Sequence, residues 1–250
     1  MKKLICYFIL SSAFVVQTLA QESTPVHFAA YEHRVKPSMT EKYWECMRRV
    51  KSNSAQHKIG AAWASFEFDD NTFIHFMPIK NFAELDKNPF ADLETKMGKA
   101  AHDAMWADFS PCMESTTSYV VTFYPALSYL RATREENFRD VFFWTVIEGK
   151  EAEAEALLKQ WAKVYEAKKV PTGFETYKVT FGGEPVYAIV GWAKDELDMA
   201  TERSKTRELM GEDMKKMMSQ TMTLTKKFDT KRGRRLAEVS YAPAPSAGSN

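Results

Sequence analysis

What this chain lacks narrows its chemistry early. Among its 250 residues there are three cysteines and five histidines, and no histidine follows His102. No glycine-rich phosphate loop, Cys-x-x-Cys, His-Glu-x-x-His or Gly-x-Ser-x-Gly elbow occurs, so nucleotide, zinc and nucleophilic-serine chemistry have no support. A formal net charge of +1 removes long-range attraction to nucleic acid or acidic lipid. After the first twenty residues no second long apolar run follows, so no later membrane span is expected. Cys6 lies within that first apolar run. Cys46 and Cys112 are too far apart in sequence to form a disulfide framework and are expected as buried free thiols.

The two ends are simple. Lys2 and Lys3, the apolar stretches Leu4 to Leu10 and Ala13 to Val16, and the small residues Thr18 and Ala20 have the order of a secretory signal. Residues 1–20 are therefore expected to be removed before Gln21, leaving an exported protein, periplasmic or secreted. Residues 243–250 carry nothing large and apolar and read as a disordered tail.

The most informative pattern is internal. Sliding residues 28–125 over 139–242 by 111 positions sets Val35 on Val146, Met47 on Leu158, Trp63 on Phe174, Phe66 on Tyr177 and Phe76 on Tyr187. In the first stretch, Phe28 to Val35 reads as a strand and Thr40 to about His57 as an amphipathic helix. Ala62 to Phe68 and Thr72 to Ile79 form a hairpin about Asp69-Asp70-Asn71, a helical region begins at Ala83, and Tyr119 to Tyr124 closes as a strand. The second repeats the order: a strand from Asp140 to Ile147, a helix from Lys150 to Lys168, a hairpin from Phe174 to Trp192, a helical stretch from Asp195 to Lys226, and a last strand from Leu236 to Tyr241. The basic cluster at Lys226, Lys227, Lys231, Arg232, Arg234 and Arg235 is expected as a solvated loop before that strand. Each stretch is thus β-α-β-β-α-β, the ferredoxin-like order. After residues 21–27 as a lead-in, the fold class expected is α+β: two tandem units, 28–125 and 139–242, joined by a linker over 126–138. They pack sheet to sheet as an intramolecular barrel with helices outside, because an apolar sheet face needs a cover.

This element order, its duplication and the strand-to-helix opening Arg34-Val35-Lys36-Pro37-Ser38 resemble the dimeric α+β barrel superfamily. That group includes antibiotic-biosynthesis monooxygenases, haem-degrading monooxygenases, NIPSNAP-type domains and chlorite dismutase. The resemblance covers roughly residues 28–242 and implies a small-molecule pocket. For the haem-degrading members it implies a histidine, a tryptophan and a small polar residue. Here His102 with Trp106 at i, i+4 and Trp63 supply the first two. Their first-strand asparagine is absent, Glu32 being its closest polar stand-in.

All five histidines fall in the first stretch, with His33 on its first strand and His75 on its third, which are sheet neighbours in a ferredoxin-like unit. The matching positions of the second stretch hold Trp144 and Val186, and Asp213 stands against His102. An imidazole titrates near neutral pH, so His33, His75 and His102 are the candidate catalytic groups and Trp63, Trp106 and Glu32 the candidate ligand contacts. Alternatively the histidines are core or surface residues; alternation does not assign His33 and His75 to a face, since aromatics occupy both. Met210, Met214, Met217, Met218 and Met222 follow the buried face of a helix. The function expected is binding of a small apolar or aromatic molecule in the barrel, with cofactor-independent oxygenation or isomerisation if it is an enzyme. No metal and no cofactor are expected. The alternatives are a non-catalytic barrel with a packed interior and a haem-binding or haem-degrading protein.

Overall fold

The chain was analysed as a computed structural model that describes residues 24–131, 136–182 and 186–243. The expected signal segment and most of the expected tail lie outside the described residues. In order, the elements are β1 (Val26–Val35), α1 (Thr40–Gln56), β2 (Ala64–Phe68), β3 (Thr72–Ile79), α2 (Ala91–Met97), α3 (Lys99–Ala107) and β4 (Met113–Phe123). There follow β5 (Phe138–Val146), α4 (Glu151–Ala167), β6 (Glu175–Phe181), β7 (Val186–Ala193), α5 (Glu196–Met210), α6 (Glu212–Thr223) and β8 (Thr225–Arg235).

The eight strands close into one antiparallel barrel in the order β1-β3-β2-β8-β5-β7-β6-β4. Two four-stranded groups are therefore not merely stacked; their edges are hydrogen-bonded to each other. Phe66 pairs with Arg235 on the β2–β8 seam, and Phe123 with Tyr177 on the β4–β6 seam. Beyond the strand ends, Trp63 exchanges both backbone bonds with Tyr241 (2.8 and 2.9 Å), and Phe174 does the same with Tyr129 (2.9 and 3.0 Å). Closure satisfies the edge N–H and C=O groups that an open sheet would leave in water. Gly233 permits one seam, since a Cβ there would lie 2.3 Å from the Glu67 carbonyl oxygen.

Alternation along each strand sorts side chains into two layers. Outside the barrel, Val35, Phe73 and Met77 pack with Tyr43, Met47 and Val50 of α1, Leu93 of α2 and Met105 of α3. A second outer core joins Trp144 and Tyr187 to Leu157 and Leu158 of α4 and Met217 of α6. Inside, Ala30, Phe68, Ile74 and Val141 meet one another. Each large apolar side chain buried this way contributes about 1.5–3 kcal/mol.

Four expectations are corrected. The last strand is Thr225–Arg235, not Leu236 to Tyr241, so the basic cluster is on a strand. Its charged residues tolerate that place because many point outward: Arg232 pairs with Glu196 of α5, and Arg234 reaches Glu67 at 2.7 Å. The helical stretch after Asp195 breaks at Gly211, whose φ of 55° with ψ of -126° is a combination that favours glycine. Gly98 (φ 85°) divides α2 from α3 in the same manner. Of the five methionines, Met210 and Met217 are buried, whereas Met218 and Met222 are exposed, because the break turns α6 onto a different face.

Candidate functional site

The sequence-derived candidates separate into two layers. His33 and His75 lie outside the barrel wall, beneath α1, where Tyr43 comes down between them. Tyr43 Oη is 2.7 Å from His33 Nδ1 and 2.7 Å from His75 Nε2, and His75 Nδ1 is 2.9 Å from Ser65 Oγ. Tyr43, His75 and Ser65 are buried, while His33 is half-buried and forms the outer end of the chain. Each hydroxyl can donate on one side and accept on the other, so the four groups satisfy one another in either direction. Burial pushes His33 down to about 4, and burial with the nearby His33 charge pushes His75 down to about 3. Burial also raises the Tyr43 phenol well above its usual value. At neutral pH the whole chain is uncharged.

The tryptophans and His102 join the same outer core without making a pocket of it. His102 Nε2 accepts from Trp106 Nε1 at 2.9 Å, one helical turn along α3. Trp63 donates Nε1 to the Val239 carbonyl at 2.8 Å. Phe90 stands between the indoles, 5.7 Å from Trp63 and 5.0 Å from Trp106. Phe109 links Trp106 to Tyr43 at 5.4 and 5.5 Å. His33, Trp63, His75, His102 and Trp106 are therefore brought together, but as core. His75 uses both ring nitrogens and His102 Nε2 is engaged, so none of those nitrogens is open to a haem iron.

Glu32 is on the other side of the wall. It alternates with His33 on β1, faces the barrel interior and accepts from Tyr119 Oη at 3.0 Å. Burial, followed by the Glu32 charge, raises the Tyr119 phenol.

The interior also holds groups that sequence reasoning missed. Glu175 and Tyr177 project inward from β6, with Tyr177 Oη donating to Glu175 Oε2 at 2.8 Å. Arg139 projects inward from β5, its guanidinium carbon 5.9 Å from the Phe66 ring centre. Its Nη1 donates to the carbonyls of Glu136 (2.7 Å) and Phe138 (2.9 Å). Arg139 and Glu175 influence each other's charge but form no ion pair. Burial raises the Glu175 carboxyl and the Tyr177 phenol and lowers Arg139. Arg235 of β8 lies on the same face, diagonal to Arg139, and their like charges are coupled. Little in the sequence signalled them, because each has a polar or charged neighbour on the outward side: Asp140 beside Arg139, Thr176 beside Glu175 and Arg234 beside Arg235.

Aromatic rings continue the lining. Phe28 lies 6.4 Å from Phe76 on the neighbouring β3 and 6.4 Å from Tyr177 on β6, a strand not adjacent to β1. Phe66, Phe76, Tyr119, Phe143, Ala188 and Val190 also face inward, yet each is only half-buried. Close-packed interiors leave few voids, so inward side chains at mid-strand that keep accessible surface have open space beside them. Two clefts lie elsewhere. One, of about 30 Å³, is at Gly173, Trp192 and Glu202; the other, half-open and about 490 Å³, lies between Tyr129 and Lys159 and Lys163 of α4. None of the sequence-derived candidates lines either. Among the described residues no group of three or more His, Cys, Asp or Glu could hold a metal, and no helix is long and apolar enough to cross a membrane.

No protein-family model matches the chain, and no curated protein matches it. Solved structures do. An anthrone oxidase-like protein superposes with a TM-score of 0.58 at 11% identity, covering 86% of this chain and 92% of that one. A candidate monooxygenase from Lactobacillus acidophilus NCFM gives 0.54 at 11% identity, covering 85% and 94%. Chlorite dismutase from Candidatus Nitrospira defluvii, in complex with imidazole, gives 0.52 at 9% identity, covering 88% and 94%. At these identities the likeness is one of fold, the α+β barrel.

Proposed function

We propose that this chain is an exported protein of two tandem ferredoxin-like units, residues 28–125 and 139–242, that binds a small, partly aromatic molecule inside its barrel. The observation that carries the reading is the half-buried inward lining around Phe66, Phe76, Phe143 and Ala188, with Arg139, Glu175 and Tyr177 converging on it. Ligand sites are concave, mostly apolar and furnished with a few placed polar groups. The tandem reading is supported by the seams. Trp63 and Phe174, 111 positions apart, make the same paired bridge, and their partners Tyr129 and Tyr241 are 112 apart. Export rests on the order of the first twenty residues.

The structural neighbours whose names include monooxygenase or anthrone oxidase-like suggest cofactor-independent oxygenation or isomerisation as the chemistry, should the ligand be turned over. On this geometry the proton acceptor inside the barrel is Glu175, not a histidine. A packed, non-catalytic barrel is the competing reading, and one substitution separates the two. Ala188→Trp inserts an indole at mid-strand; in a filled interior overpacking costs about 3 kcal/mol or more, whereas open space accepts it at little cost. We expect a near-neutral change in chemical denaturation, together with loss of any ligand that native mass spectrometry finds on protein purified from its exporting host. Severe destabilisation by Ala188→Trp refutes the lumen.

A further inference from the structure

The interior is not uniformly polar: charge gathers at one part of it. Arg139 and Arg235 face inward on neighbouring strands as diagonal neighbours, and neither forms an ion pair with another of the described residues. Arg139 spends Nη1 on two backbone carbonyls, which fixes its guanidinium, while Nε and Nη2 make no hydrogen bond to the described residues. No side-chain hydrogen bond engages Arg235 among them either. The carboxylate at hand, Glu175, is tied through Oε2 to Tyr177. Inside the barrel these two guanidiniums face one carboxyl, Glu175, while Glu136, whose charge also acts on Arg139, lines the cleft at Gly173 and Trp192. Buried cations without a counter-ion are costly, and a guanidinium presents a planar fork of donors suited to a carboxylate. Beside the charges, Phe66 lies under Arg139, and Phe28, Phe76 and Phe143 extend the aromatic wall.

We infer that the barrel interior takes a small aromatic monocarboxylate, its carboxylate between Arg139 and Arg235 and its ring among Phe28, Phe66 and Phe76. This rests on the proposal that the barrel has a lumen and adds the chemical class of what enters it. Glu175 completes the cradle. Its carboxyl, raised by burial and held through Oε2 by Tyr177, repels a bound carboxylate less than a surface glutamate would.

The test compares three probes of one shape by isothermal titration calorimetry at pH 7: 2-naphthoate, 2-naphthamide and 2-methylnaphthalene. With the full mature chain we expect 2-naphthoate to bind at least tenfold tighter than the other two. Arg139→Gln and Arg235→Gln should each weaken 2-naphthoate about tenfold or more, as removing a hydrogen bond to a charged group does, and leave 2-methylnaphthalene unchanged. Equal binding of all three probes overturns the carboxylate assignment and leaves the lumen standing. Binding of none overturns both. The probe comparison on unsubstituted protein decides the matter even if an arginine variant fails to fold.

Discussion

Acidification should unfold this protein through its buried histidines. In the unfolded chain an imidazole takes its proton near pH 6.5. In the folded chain burial holds His33 down to about 4, and burial with the His33 charge holds His75 down to about 3. Between those values the unfolded state binds protons that the folded state refuses. The histidine contribution is therefore complete above pH 6.5 and is lost as pH falls toward 4. Each such proton is worth about 1.4 kcal/mol per pH unit. From pH 6.5 to 5 that gives about 2 kcal/mol for His75 and less for half-buried His33, or about 3 kcal/mol together. For a chain of this size the melting temperature should drop by about 6–12 °C. Glu175 works in the opposite sense, because a raised carboxyl favours the folded state in acid, so the histidine share must be isolated. His75→Phe does this. It leaves Ser65 Oγ without its partner and Tyr43 with His33 alone, and lowers stability at pH 7.5, but it removes one titrating group. Thermal melts followed by circular dichroism at pH 7.5, 6.5, 5.5 and 5 should therefore give a shallower pH slope for the variant. Parallel slopes for the two proteins would refute the assignment of the acid loss to His75.

Three further outcomes follow from particular residues. Gly233→Ala should destabilise by about 3 kcal/mol or leave the chain insoluble, since its Cβ would meet the Glu67 carbonyl at 2.3 Å on the β2–β8 seam; unchanged denaturant midpoints would contradict that geometry. Cys46 and Cys112 are free and buried, so Ellman's reagent should find both thiols only after denaturation, and rapid reaction of native protein would count against their placement. N-terminal sequencing of exported material should begin at Gln21; a start at Met1 removes the signal reading.

Element order was legible in the sequence because hydrophobic periodicity and turn chemistry agree along most of the chain. Thr72–Ile79 is a strand at its expected bounds, and Thr40–Gln56 ends one residue from its expected place. The failures have physical causes. Thr225–Arg235 is rich in lysine and arginine, so local composition hid a strand whose charges point outward or line the barrel. The barrel was expected from two apolar sheet faces, but its hydrogen-bonded β2–β8 seam joins partners more than 160 residues apart, as in Glu67 with Arg234, and no local pattern encodes that pairing. The histidine face could not be assigned because both faces of β1 and β3 carry aromatics. Attention to the uneven distribution of histidine then drew the candidates toward the outer core. Arg139 and Glu175 went unnoticed, and Arg235 was expected in a solvated loop, because charged residues usually mark a solvated face, and in a closed barrel such a face can be inside.

The β2–β8 seam also sets the order of events during synthesis. β2 appears early, but β8, which covers its free edge, is the last made of the described strands, so most of the chain must emerge before the barrel can shut. Until then the first four strands display two bare edges, β2 and β4, whose partners are β8 and β6. Such edges attract any available strand, including those of a second chain in the same state. Pairing so distant in sequence also slows folding. The arrangement thus commits this protein to a late, all-or-none closure, and makes strand exchange between incomplete chains its characteristic failure.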